Sequence, residues 1–464
     1  MKGEVIRVSG PTVHVDLKNL KLYERVLVKG LTGEVVQVKK GGAVIQVYEE
    51  TKGMGKGDPV QGLGTPLSVK LGPGMLSKMY DGLQRPLDSM REKTGPFISP
   101  GFGYDSVDRE SLPGEEYWPV RIPRPFKRKF PCREPLITGQ RIVDFLFPLA
   151  KGGTAIIPGG FGTGKTILEQ SIAKFADVDI VVYVGCGERG NEMAELLEEF
   201  RSLKDPRNDR SLMERTVLVV NTSNMPVAAR EASIYTAVTI GEYYRDNGYD
   251  VLLLADSISR WAEALREIST SLEEMPGEEG YPTYLASRLS TFTERAGMVE
   301  SLDGKTGSLS MILSVSPPGG DFTEPVTQAL LRNAGVFLML DTSLAHRRHF
   351  PAINWFHSYS LYADTLQDYF DKNVSGEWAI LRVRCMELLQ KEESLREVSE
   401  IVGHSGMQES DRLILQFADR IRNEFLIQNA YTTDADCPLD RTFHIVRNII
   451  AEYDKAVAIS GVEK

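Results

Sequence analysis

One octapeptide limits the architectures open to this chain more than any other stretch. Gly159-Gly160-Phe161-Gly162-Thr163-Gly164-Lys165-Thr166 fits the spacing G-x-x-x-x-G-K-[ST] and follows the apolar run Thr154-Ala155-Ile156-Ile157-Pro158. Average composition yields about 0.02 such octets in a chain of this length. The stretch that follows, Ile167 to Ala173, has a helical pattern, so the loop joins a strand to a helix whose N-terminus faces an anion. Glycines there let backbone N–H groups curl around phosphate oxygens, Lys165 supplies a point charge to the outer phosphates, and the Thr166 hydroxyl can join the shell of a Mg2+ ion. Residues Gly160, Phe161, Gly162, Thr163, Gly164, Lys165 and Thr166 therefore predict a nucleoside triphosphate site in an α/β domain.

At 464 residues with 42% hydrophobic content, the chain is long enough for two to four domains with real cores. The net charge of −10 is spread without long like-sign blocks, so nothing points to a nucleic-acid surface or an acidic-lipid anchor, and solubility is the preferred reading of it. Cys132, Cys186, Cys385 and Cys437 are isolated, which fits a reducing cytoplasm with neither disulfides nor zinc. His346 and His349 flank the two positive charges of Arg347 and Arg348, a poor setting for a cation. No apolar run approaches the ~18 residues that span a bilayer, so any membrane role is expected to pass through partners.

Three regions differ in periodicity. Residues 1–68 alternate short β-rich runs with glycine turns (Val5–Val8, Thr12–Val15, Arg25–Val28, Gly33–Val38, Ala43–Val47) and predict an N-terminal β-barrel. Residues 69–360 alternate apolar strands (180–184, 216–220, 251–255, 310–315) with helical patterns, as in a mainly parallel sheet covered on both faces. Residues 361–464 lose the strand signal. Leu381, Cys385, Leu388 and Leu389, then Leu413, Phe417, Ile421 and Phe425, recur at helical spacing and predict an α-helical bundle, with Phe425 in its core. Residues 92–117 carry prolines and glycines without periodicity and read as a surface loop.

Two strand ends add chemistry to the phosphate loop. Past Val184 comes Gly185-Cys186-Gly187-Glu188-Arg189-Gly190, where Glu188 can position and polarise water and Arg189 can meet phosphate charge. The run Val251-Leu252-Leu253-Leu254-Ala255-Asp256 places a carboxylate at the end of a buried strand, where it can act on Mg2+ or cap the next helix. Ser316–Phe322 contains Pro317, Pro318, Gly319, Gly320 and Asp321, a rigid turn with an exposed acid.

Longer runs carry a family resemblance. Tyr183 to Met193, Asn221 to Ala232, Arg260 to Ile268, Met275 to Pro282, the Pro-Pro-Gly-Gly-Asp-Phe turn and Arg347 to Trp355 resemble the catalytic A subunit of V/A-type rotary ATPases over nearly the whole chain. The resemblance implies a barrel, a RecA-like P-loop domain and a helical domain. It also implies ATP or ADP with Mg2+ as ligands, and three copies alternating with three non-catalytic B subunits that each supply an arginine finger. Further implied partners are central shaft subunits, stator subunits and, indirectly, a membrane sector, with no nucleic acid. The location implied is cytoplasmic and peripheral to a membrane. Carried over by position, Lys165, Glu188 and Arg189 are catalytic, Thr166 and Asp256 attend the metal, and Phe350, Tyr431 and Gln428 form the adenine pocket.

Several positions depart from the family pattern. Gly160 and Thr163 stand where Pro and Ser are usual, Ile258 replaces a Thr after the strand-end acid, and Tyr431 replaces a Phe. The domain-sized insertion expected between Gln84–Leu87 and Trp118–Arg121 is reduced to the 92–117 loop, which bears on stator coupling more than on catalysis. The implied function is coupling of ATP hydrolysis or synthesis to H+ or Na+ translocation. The alternative is a hexameric P-loop ATPase working outside a rotary pump, as in export.

Overall fold

A computed structural model describes residues 2–87, 115–402 and 407–460, with side chains omitted over 397–402. Most of the loop expected over 92–117 lies outside the described residues. At its end, Glu116–Pro119 is a strand paired with Ser68–Leu71. Two compact units emerge, Met1–Phe130 with Val178–Asn333, and Pro131–Asp177 with Ala334–Lys464.

In the first unit, six antiparallel strands close a barrel in the order Lys2–Ser9, Thr12–Asp16, Gly42–Val47, Leu31–Lys39, Glu24–Val28, Pro59–Pro66. Val13, Val15, Val26, Val28, Val35, Ile45 and Val47 fill it, because period-2 alternation sends every second β-branched side chain to one face. The sixth strand, Pro-Val-Gln-Gly-Leu-Gly-Thr-Pro, has no alternating pattern, and among its residues only Val60 belongs to the barrel core. It still closes the barrel by pairing Lys2 with Gln61 and Val28 with Val60.

The same unit carries a parallel sheet in the order Thr306–Val315, Asp250–Asp256, Ile180–Cys186, Thr216–Asn221, Met79–Tyr80. All residues of the Ile180–Cys186 and Thr216–Asn221 strands are buried, as helices on both faces require. Gly297–Glu300 pairs antiparallel with the start of Thr306–Val315, and Arg128–Phe130 pairs antiparallel with Gly297–Glu300. The 20-residue helix Val227–Asp246 packs on this sheet. Arg121 ties the barrel to that helix. Its guanidinium donates to Glu34 of the barrel (2.8 Å) and to Glu231 of the helix (2.7 Å), and it stacks over the rings of Tyr23 and Tyr235. Arg288 adds a hydrogen bond to the Tyr23 hydroxyl at 3.0 Å.

In the second unit, Thr154–Pro158 runs parallel to Val336–Phe337, and helices span Lys165–Phe175, Ala363–Asn373, Trp378–Val402, Glu409–Arg420 and Leu439–Ser460. An aromatic core joins them. Trp378 stacks on Phe370 (4.5 Å) and on Phe443 (6.0 Å), and Phe145 meets Trp378 and Phe425 edge-on. The buried stripe of the 409–426 segment is Ile414, Phe417, Ile421 and Phe425, whereas Leu413 is only half-buried. Uniform steps of four residues drift around a 3.6-residue helix, and Ile421–Leu426 winds as a wider π-turn, which keeps Phe425 in phase with Ile421. Phe425 is fully buried. Phe425→Ala should therefore destabilise the protein by about 3–5 kcal/mol, read as a lowered denaturation midpoint. A loss below ~1 kcal/mol would remove this residue from the core.

Candidate active site

The phosphate loop belongs to the second unit. Gly162 and Gly164 both adopt positive φ (79° and 80°), which glycine accepts without a Cβ penalty. Gly164 is the N-cap of the Lys165–Phe175 helix, and no side chain caps that end. The first-turn N–H groups are left to an anion. A Cβ on Gly159 would stand 2.8 Å from both Leu340 Cβ and Thr163 Oγ1, so the loop can turn there only as glycine. Thr163 is buried and its hydroxyl donates to the Gly160 carbonyl at 2.8 Å, bracing the loop from within. Nothing comparable constrains Gly160, whose nearest neighbour to a built Cβ is Thr342 Cγ2 at 3.4 Å. Phe161 is 96% exposed, Lys165 half-buried and Thr166 exposed at the first turn of the helix.

Of the further predicted residues, Phe350 lies against this loop and Gln428 is bonded to Phe350. The Phe350 ring lies against Gly164, where a built Cβ would be 3.2 Å from its Cε1. Its carbonyl accepts the Gln428 N–H at 2.8 Å, and the Phe350–Pro351 peptide is cis. Gln428 is buried with both ends of its amide committed. Its Oε1 accepts from the Arg141 N–H, and its Nε2 donates to the carbonyls of Gly139 and Asp434. The side chain thus fastens the loop that carries Tyr431, a ring left 81% exposed.

Arg141 emerges only from the structure. Its buried guanidinium donates to the carbonyls of Phe425 and Ile427 and pairs with Asp434. A cation clamping carbonyls so far along the chain leaves no local pattern to read.

Glu188, Arg189 and Asp256 belong to the first unit. The strands Ile180–Cys186 and Asp250–Asp256 run in register with Gly185 opposite Asp256, so both end at the same level of the sheet. Beyond them, Gly187 takes φ 74°, and a Cβ there would come within 2.6 Å of Arg260 Cβ. The Gly187 N–H donates to the Asn221 carbonyl (2.6 Å) and the Ser223 N–H to the Glu188 carbonyl (2.9 Å). The Asn221–Ser223 segment therefore fixes the backbone of Glu188, whose side chain is half-buried. Arg189 is exposed at the N-cap of the Gly190–Ser202 helix. Arg260 pairs with Glu263 at 3.0 Å, and that bond, with the carboxylates of Glu188 and Glu192, holds its guanidinium firmly protonated.

Asp256 is buried at its strand end, joined by a cis peptide to Ser257, the N-cap of the Ile258–Ser271 helix. Cys186 is buried with its thiol donating to the Arg230 carbonyl, and burial pushes it up to about 12, so it stays a thiol at neutral pH. The Asp321 carboxylate accepts from Thr323 N–H and hydroxyl, closing its own turn and holding it below the usual carboxylate range.

Among the described residues, no three His, Cys, Asp or Glu side chains cluster as a metal cage. A Thr hydroxyl and an Asp carboxylate are hard oxygen donors, and such a sparse set suits Mg2+, which keeps water and substrate phosphate oxygens in its shell. No helix of the described residues is long and apolar enough to cross a membrane.

Comparison with known proteins follows the order of the three regions. Residues 5–64 match the ATP synthase alpha/beta family β-barrel domain, 139–360 its nucleotide-binding domain, and 367–464 the C-terminal domain of V and A type ATP synthase. The A subunit of the A-type ATP synthase from Methanopyrus kandleri is 48% identical over 98% of this chain and 90% of its own length. Its counterpart from Methanosarcina barkeri is 49% identical over 98% and 91%. The chain belongs to the A-subunit family of A-type ATP synthases. Members of this family are the catalytic, ATP-handling chains of an ATP synthase or ATPase built from several different chains. The first alignment runs over 532 positions, more than the 464 residues of this family member, so the relative holds internal residues that are missing here. The assembled ATPase EscN of the enteropathogenic E. coli type III secretion system superposes with a TM-score of 0.81, covering 97% of this chain and 100% of its own. At 24% identity that likeness concerns the fold alone.

Proposed function

We propose that this family member hydrolyses or makes ATP with residues 159–166, 188, 189 and 256, and passes the resulting shape change to ion-translocating partners. The uncapped helix start at Lys165, preceded by two positive-φ glycines, is the observation that carries this reading. Backbone N–H groups of Gly160 to Thr166 receive the phosphates, and the Lys165 ammonium meets the outer ones. Arg189 adds a second cation toward phosphate. Glu188, on a backbone that Asn221 and Ser223 keep still, aligns and polarises the attacking water and takes up its proton. The Thr166 hydroxyl and the Asp256 carboxylate would hold Mg2+, which when bound with the nucleotide spreads the negative charge of the outer phosphates.

Phe350 and Tyr431 are proposed to sandwich adenine. Gln428 serves that pocket by positioning, since its amide is already spent on Gly139, Arg141 and Asp434. Phe350→Ala or Tyr431→Ala should raise the KM for ATP roughly 5-fold to 100-fold with a smaller change in kcat, because stacking on the base is equal in ground and transition states. A folded variant with unchanged KM would remove that ring from the pocket.

For organisation, the proposal takes 1–68 as the barrel, 69–360 as the nucleotide domain and 361–464 as the helical domain. The partners proposed are a B-type subunit supplying an arginine, central shaft subunits and stator subunits, and the location is the cytoplasmic face of a membrane through the assembled complex. The test is Lys165→Ala. ATP affinity measured by calorimetry should fall at least about tenfold along with the rate, since Lys165 touches ground-state and transition-state charge alike. An unchanged affinity would overturn the phosphate role.

A further inference from the structure

We propose that Arg141 is a positioning residue that sets how tightly the adenine base is held, by fixing the stretch that carries Tyr431; this rests on the reading of Phe350 and Tyr431 as the base pocket. Packing does little to place a ring as exposed as that of Tyr431, so its position follows from the backbone on either side. The Tyr431 N–H donates to Asn429 Oδ1 at 2.9 Å, and the Asn429 N–H donates to Asp434 Oδ2 at 3.3 Å. The stretch thus closes on the Asp434 carboxylate. Arg141 grips that carboxylate with both arms of its fork, Nη1 on Oδ1 and Nη2 on Oδ2 (3.0 Å). Its Nε donates to the Phe425 carbonyl at 2.8 Å, and Nη2 donates also to that of Ile427. One buried guanidinium therefore holds the chain both before and after Tyr431.

The turn that presents Arg141 is itself pinned. Buried Asp144 accepts from the Thr138 N–H (2.8 Å) and hydroxyl (2.7 Å) and from the Gly139 N–H (2.9 Å). From that turn, the Gly139 carbonyl accepts from Gln428 Nε2 (2.8 Å) and the Cys437 N–H (3.0 Å), and Gln140 Nε2 donates to the Ala435 carbonyl (3.1 Å) and to Ser171 Oγ (3.0 Å). Ser171 belongs to the helix that starts at the phosphate loop. The turn at 138–141 thereby ties the Tyr431 stretch to the element that presents the phosphate loop, and the Gln428 N–H on the Phe350 carbonyl brings the second ring into the same frame. Among these links the Arg141–Asp434 pair is the charge-assisted one, with a bidentate geometry that an ammonium cannot reproduce. Arg441 stands off from Asp434 at 3.9 Å. With the grip intact the stretch is ordered before a base arrives; without it, base binding must also order the stretch, which lowers affinity. A ligand that has phosphates but no base does not sense the difference.

The full chain should be titrated by calorimetry with Mg-ATP and, separately, with magnesium tripolyphosphate. Arg141→Lys should weaken ATP about 5-fold to 50-fold and leave tripolyphosphate within about 2-fold, since stacking on a base contributes a factor of that order. If the buried lysine variant fails to fold, Asp434→Asn, at a half-buried position, removes the ion pair and should shift the ratio of the two affinities the same way by about 3-fold to 10-fold. Tyr431→Ala should itself lose ATP selectively, and in its background Arg141→Lys should cost ATP less than about 2-fold more, because a residue that acts through the ring has nothing left to position. Equal weakening of ATP and tripolyphosphate by Arg141→Lys would make it a residue of the fold alone and overturn the proposal. So would an unchanged ratio in both Arg141→Lys and Asp434→Asn while Tyr431→Ala shifts it, an outcome that leaves the base pocket standing. An unchanged ratio in both Tyr431→Ala and Phe350→Ala would instead remove the pocket, and the role of Arg141 with it.

Discussion

Mixed with a B-type partner, the isolated chain should gain about 10^3–10^5-fold in kcat for ATP hydrolysis, because an arginine finger supplied in trans contributes an effect of that size. In the proposed assignment the chain brings backbone donors at the Lys165 helix start, a lysine and an arginine toward phosphate, and a carboxylate for water. What this inventory lacks in the proposed assignment is the cation that meets charge developing on the transferred phosphoryl group, and a neighbouring chain is proposed to provide it. ATPase rate and particle mass should therefore rise together on titration, to an alternating hexamer. Replacing the partner's interface arginine with alanine should cancel the rate gain while leaving assembly intact. A purified chain that forms a fully active homohexamer and ignores any B-type partner would sink the proposal and point to a hexameric ATPase outside a rotary pump.

Glu188→Gln should lower turnover of that assembled complex by about 10^2–10^4-fold while ATP affinity stays within a few-fold of the parent. The amide is nearly isosteric but cannot draw the proton of an attacking water as a carboxylate does. Local structure should survive, because backbone hydrogen bonds from Ser223 to the Glu188 carbonyl and from Gly187 to Asn221 hold this stretch whichever side chain stands at 188. Equilibrium binding and single-turnover hydrolysis together separate the outcomes. Lost affinity with near-normal turnover would mean that Glu188 holds the nucleotide and does not orient water.

Legibility follows the physical character of each segment. The first five barrel strands declare themselves through β-branched alternation, while Pro59–Pro66 does not, since two prolines and two glycines leave it no pattern and only its neighbours make it a strand. The sheet strands at 180, 216, 250 and 306 are readable because burial on both faces demands unbroken apolar runs. Met79–Tyr80 and Arg128–Phe130 are too short to carry a period. Leu413, placed inside by its spacing, is only half-buried, because uniform steps of four residues drift around a 3.6-residue helix.

The strand–turn–helix form of the phosphate loop and the strand-end placing of Glu188 and Asp256 are legible because each is a local feature, a turn or a strand end with its own residues. The Arg141 clamp and the true employment of the Gln428 side chain are not, because both depend on groups brought together from opposite ends of the second unit's sequence.

The Arg121 bridge has a practical side. A guanidinium shared between Glu34 and Glu231, reinforced by Arg288 on Tyr23, leaves the barrel little freedom to swivel on the helix beneath it. The barrel is then a rigid handle on the sheet that bears Glu188. A fluorophore attached at the exposed turn around Lys52 would report the attitude of that sheet in a working complex.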